Sequence, residues 1–166
     1  MKFSIIKTFI VLTFLLSCPV NSQCNDKIEI PYNDGSIARY TGCLGDDGMP
    51  YGQGINITDN YKDEGIFNGL LLNDLNGKRT LNDGIIYQGK FENGNFVDGK
   101  FTYNGEGFSI EYNGEFYRFG FDGQGSFEQR QTGLLLTKQG EFRNGSFIEG
   151  EEKTLYSNGN ILTKTY

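Results

Sequence analysis

Histidine is absent from the 166 residues, and so is tryptophan; proline and cysteine occur three times each. Without histidine there is no Ser-His-Asp triad, no Cys-His pair and no histidine metal site. One of the three cysteines lies in a hydrophobic leader, so a four-cysteine zinc site within one chain is excluded. Neither a G-x-x-x-x-G-K-[ST] phosphate loop nor a D-x-[DN]-x-[DN]-G calcium loop occurs. Past the leader, no apolar run reaches the roughly 20 residues of a membrane-spanning helix. Lys and Arg rarely adjoin, which leaves no basic stripe for a nucleic-acid backbone.

What is present begins with MKFSIIKTFIVLTFLLSCPVNSQ, which reads as a secretory signal over residues 1–22. Lys2 and Lys7 supply the positive start, residues 9–16 a short apolar core, and Val20 and Ser22 a small-residue cleavage site. A secreted, extracellular or periplasmic location is expected. Leu15-Leu16-Ser17-Cys18 also resembles a lipobox; lipidation of Cys18 is the one route by which membrane contact is expected. Cleavage removes two lysines, leaving 13 basic against 21 acidic residues and a net charge of −8. Such a chain repels nucleic acid and anionic lipid. It also retains Cys24 and Cys43, an even pair that an oxidising compartment joins as a disulfide, closing a loop worth about 3 kcal/mol.

The 24 glycines, 14 phenylalanines and 10 tyrosines are not scattered. GKFENGNFVDGK at 89–100 is echoed by GEFRNGSFIEGE at 140–151. The underlying unit is Tyr-x-Gly-x-Phe, a glycine turn, then Gly-x-Gly or one Gly and a second strand. Copies begin near 40, 63, 87, 112 and 138, at spacings of 23, 24, 25 and 26. KDEGIFNG at 62–69 is degraded and lacks a normal turn, and the copy at 112–127 carries one extra residue, placed before its turn. Between copies, PYNDGSIARY, LNDGIIY and YSNGNIL carry the Asn-Asp-Gly or Ser-Asn-Gly signal of tight hairpins. Side-chain alternation then puts Tyr87, Gly89 and Phe91 on one face, and Gln88, Lys90 and Glu92 on the other. Glycines in mid-strand are expected to make room for rings of neighbouring strands.

These units resemble the MORN repeat over roughly residues 31–162, most specifically in Tyr40–Gly54, Tyr87–Gly99 and Tyr112–Gly125. Leu44 replaces the aromatic of the first copy, and Lys138 replaces the tyrosine of the last. The resemblance implies an all-β, elongated, single-layer, twisted antiparallel sheet of consecutive hairpins, about five units of 23–26 residues. It also implies protein–protein contact, membrane-associated scaffolding or dimerisation, and no enzymatic activity in the repeats themselves; no cofactor or metal is expected. The expected organisation is a leader at 1–22, an extension with the first hairpin strand at 23–39, repeats at 40–155 and a C-terminal hairpin or cap at 156–166.

Chemistry outside the repeat logic is sparse. The first alternative class is a membrane-surface scaffold, tethered as a lipoprotein or lipid-associated. Behind it stands a secreted hydrolase built on paired acids, with Asp46-Asp47, Asp63-Glu64 and Glu149–Glu152 as its acids, the plainer reading of each being a solvated turn. Asn56-Ile57-Thr58 and Asn144-Gly145-Ser146 are N-glycosylation sequons. Phe96, Phe119, Phe121 and Phe147 lie in or beside turns, where they are expected either to pack in the core or to rim a partner-binding groove.

Overall fold

The computed structural model describes Cys24, residues 26–32 and residues 35–166. The leader and Cys18 lie outside the described residues. Thirteen strands follow: β1 (Asp26–Pro31), β2 (Ile37–Leu44), β3 (Pro50–Ile57), β4 (Tyr61–Asn68), β5 (Leu71–Leu72), β6 (Gly77–Leu81) and β7 (Ile86–Glu92). Then come β8 (Asn95–Gly105), β9 (Phe108–Tyr117), β10 (Gly120–Gln131), β11 (Leu134–Arg143), β12 (Ser146–Tyr156) and β13 (Ile161–Thr165). They form one open antiparallel sheet in sequence order, with β5 pairing only β4 and the path running on from β4 to β6. Extensive contacts join only strands adjacent in the sheet, so the fold is a one-dimensional array of hairpins.

The repeat frame appears as rows across the sheet. Gly42, Gly54, Gly65, Gly77, Gly89, Gly99, Gly114, Gly125, Gly140 and Gly150 stand side by side on successive strands β2 to β12. On one side of this row lie the tyrosine seats, and on the other Phe67, Leu72, Phe91, Phe96, Phe116, Phe121, Phe142 and Phe147. A Cβ added at Gly99 would sit 2.8 Å from Gly89 Cα, aimed at the partner strand instead of out of the sheet. That geometry folds the sheet sharply along the glycine row and turns the tyrosines onto the phenylalanines. Tyr87 meets Phe96 at 5.2 Å, Tyr112 meets Phe142 at 5.0 Å, and Tyr112 stacks on Phe121 at 4.1 Å. Each such ring pair adds about 0.5–1.5 kcal/mol beyond its buried area.

The mid-strand glycines therefore have two uses, of which the sequence suggested one. At Gly54 and Gly125 a ring does lie over the glycine: an added Cβ would collide with Tyr40 and Tyr112 respectively. At Gly89, Gly99, Gly140 and Gly150 the obstacle is the partner backbone, and the glycine permits the fold in the sheet.

Turn chemistry follows sequence closely. Asn93-Gly94 and Asn144-Gly145 have φ of 49° and 78°, and 50° and 80°, the two positive angles of a type I′ hairpin turn. The three Asn-Gly or Asp-Gly signals between repeats also close hairpins, with Gly35, Gly84 and Gly159 at φ of 87°, 88° and 83°. One expectation is corrected. The copy at 112–127 has no extra residue before its turn; Arg118-Phe119 occupy the Asn-Gly seats at φ of 50° and 64°. Its extra residue comes after the turn, where Gly123 and Gln124 are skipped in pairing with β9, while the copy at 87 skips Val97 alone. The second copy also has its own two-residue turn, Gly69-Leu70, because Asn68 pairs Leu71 and Phe67 pairs Leu72.

Candidate functional site

The tyrosine seats form a continuous cross-strand row. From β1 to β13 it reads Ile28, Tyr40, Asn56, Asp63, Arg79, Tyr87, Phe101, Tyr112, Phe127, Lys138, Glu152 and Lys164, omitting only β5. The central seats are aromatic. Those of the second and fifth copies hold ion pairs of opposite polarity, acid-then-base at Asp63–Arg79 and base-then-acid at Lys138–Glu152.

Asp63 is 1% exposed, and its two carboxylate oxygens accept from Arg79 Nε and Nη2, each at 2.7 Å. Arg79 Nη1 also reaches Gly94 O at 3.3 Å, and its guanidinium lies 4.4 Å from the Tyr61 ring centre and 5.3 Å from that of Phe119. Burial pulls the guanidinium pKa down, but hydrogen bonds and charge from Asp63 outweigh it, and the net shift is upward. This carboxylate is committed to a structural pair. Beside it Asn56, also 1% exposed, has both amide atoms buried without a hydrogen-bond partner.

At the far end Lys138 Nζ meets Glu152 Oε2 at 3.1 Å, and Lys164 Nζ approaches Oε1 of the same carboxylate at 3.5 Å. The Lys138 hydrogen bond is the largest cause holding Glu152 below the usual carboxylate range. Two lysines thus share one acid, and Lys164 stands on the edge strand with its side chain 52% exposed. Tyr166 packs its ring on Phe147 at 5.6 Å, closing the end of the aromatic rows.

The residues singled out from sequence fall as follows. Cys24 and Cys43 form a disulfide that fastens the chain before β1 to β2, compatible with an oxidising, extracellular setting. Asn144 is exposed at its turn, open to a glycan. Asn56 is not: its amide nitrogen is sealed beneath the sheet's folded face, so the sequon is closed in this structure. Phe96 is fully buried between Tyr87, Phe91 and Phe116, which removes it from any groove rim. Phe119, Phe121 and Phe147 are half-buried and pack against the same core. Adjacent acids do not converge: Asp63 lies under the folded face while Glu64 bonds Lys62 on the other, and Asp47 caps its own loop through Met49 N.

Sequence reasoning missed Arg79 and Lys164, and read Glu152 only as part of a solvated acidic cluster. A signal for Lys164 was available, since it follows Lys138 by 26 residues and so opens a sixth seat. The largest exposed apolar side chains near a sheet edge also gather there, with Ile161 67% exposed and Leu155, Tyr156, Leu162 and Tyr166 open around it. Comparison with protein-family models and with curated proteins returns no match.

Proposed function

We propose that this chain is a secreted, non-enzymatic repeat protein of MORN type that acts as a protein–protein interaction or scaffolding module, and that it engages its partner along β13. The repeat frame and its registration into rows support the family reading. The observation that carries the binding reading is the edge itself. Tyr166 N donates to Gly150 O, which makes residues 162 and 164 the hydrogen-bonded partners of β12 and turns the backbone groups of Ile161, Thr163 and Thr165 outward. An exposed edge strand with free backbone groups is a template for strand addition. The opposite edge is guarded, for β1 ends in Pro31 and is tied down by the disulfide.

The test is a Thr163→Pro variant of the mature protein. It removes an outward N–H and leaves the β12 ladder intact. Affinity capture followed by mass spectrometry is expected to lose the bound protein in the variant while circular dichroism stays unchanged. Equal capture by both proteins would place the interaction elsewhere.

A further inference from the structure

We infer that the β13 edge selects an extended strand carrying an acidic residue opposite Lys164; the inference rests on β13 being the binding edge. Lys164 occupies the first seat of a sixth unit, the position that Lys138 holds in the fifth. In the fifth unit the seat on the next strand is filled by Glu152, which both lysines then share. One positive charge in the row is left uncompensated, and the side chain that carries it is 52% exposed at the edge. A strand added to β13 places one residue directly opposite Lys164, about 4.5–5.5 Å away between Cβ atoms. A glutamate or aspartate there continues the Lys-Glu-Lys alternation.

The same charge argues against a second copy as the occupant. Antiparallel self-pairing centred on Thr163 sets Lys164 against Leu162 and brings two lysines onto one face as diagonal neighbours, a like-charge arrangement that disfavours pairing. Inward charge on an edge strand is a known guard against self-association. Here it also has a complement, so the edge repels its own kind and admits an acidic strand.

The probes are the peptides acetyl-Thr-Val-Thr-Glu-Thr-Val-Thr-amide and its counterpart with lysine at the centre, titrated into the ¹⁵N-labelled mature protein and read by NMR. The acidic peptide is expected to shift the amides of Thr163 and Thr165 and to bind about tenfold tighter than the basic one. Lys164→Gln should abolish the preference, and Lys164→Glu should reverse it. If both peptides bind the edge equally, charge selection is refuted while strand binding at β13 stands. If neither binds and Thr163→Pro leaves partner capture intact, the binding edge itself is wrong. If the protein instead dimerises with concentration through protected Thr163 and Thr165 amides, a second copy is the occupant and the inference fails.

Discussion

Removing Arg79 while leaving Asp63 in place is the sharpest perturbation of the row. In Arg79→Met the carboxylate stays 1% exposed and loses both 2.7 Å bonds. Breaking a buried pair by deleting one partner costs about 3–5 kcal/mol. The guanidinium's contacts with Tyr61 and Phe119 would add about 0.5–2 kcal/mol each, partly kept by the methionine stem. Against a total stability of about 5–15 kcal/mol, that is a large fraction. The double variant Asp63→Leu/Arg79→Met should recover nearly all of it, because a well-packed apolar pair often matches or exceeds a buried ion pair. The repeats supply the precedent, since Tyr87 and Phe101 fill the equivalent seats with rings 5.4 Å apart. Asp63→Leu alone should fall between, as the Arg79 side chain, 12% exposed, has an outlet to water. Urea unfolding of the oxidised protein, followed by far-ultraviolet circular dichroism, gives the double-mutant cycle. Arg79→Met within about 1 kcal/mol of wild type, or a double variant no better than that single, would refute the reasoning. Should Arg79→Met not fold, the double variant and Asp63→Leu still order themselves against wild type.

Gly125→Ala drives a methyl into Tyr112 and should cost well over 1 kcal/mol, whereas Gly120→Ala, with its nearest neighbour at 3.4 Å, should stay within about 1 kcal/mol; urea midpoints compare them. Asn56→Val removes two buried polar atoms that lack partners and is expected to be neutral or stabilising by about 1–3 kcal/mol; a loss beyond 1 kcal/mol in the same assay would count against that. Tyr112 has its pKa raised to about 12, chiefly by burial and then by Glu115, Asp122 and Asp98. A phenol held neutral in the fold contributes stability that is complete below its unfolded value near 10 and lost as pH rises towards 12. Tyr112→Phe should flatten that alkaline limb, and ultraviolet titration should show it losing one member of the late-ionising set, in which burial also raises Tyr40, Tyr61 and Tyr87.

Much of the architecture was legible because it is local. Type I′ turns announce themselves as Asn93-Gly94 and Asn144-Gly145, and strand alternation is set by a period of two. The rows were harder to see, since Asp63 and Arg79 are 16 residues apart and meet only once register is fixed. Register was obscured where the frame changes. Arg118-Phe119 fill a turn normally written Asn-Gly, so alignment by glycine pushed the extra residue to the wrong side of it. Phe119 tolerates its left-handed φ because its ring packs on Tyr87 at 5.2 Å and lies beside the Arg79 guanidinium. Tertiary packing overrode the local signal. Asn56 misled differently: Asn-Ile-Thr is a sequon in any fold, and only the row shows that its side chain points beneath the folded face. Asp63 looked like half of an acidic surface pair for the same reason, its partner being invisible along the chain.

The distribution of polar seats has a physical order. In the middle of the array each ring has neighbours on both sides, and Tyr87 and Tyr112 are buried while Phe101 and Phe127 are half-buried. At β13 coverage comes from one side only, and from Lys138 onward the side chains change to long amphipathic ones whose stems pack while their charges reach water. Lys138 still lies over the Phe147 ring at 5.4 Å, while Lys164 is half exposed at the edge. The Asp63–Arg79 pair answers a different need. β6 is short, and β4 joins it through four register pairs only, because β5 and the loop at 73–76 interrupt the ladder. A bidentate pair at that seam ties two strands joined by a short backbone ladder, and it fits one register alone. The same kind of substitution thus anchors a short seam inside the sheet and leaves, at its open edge, a charge in search of its complement.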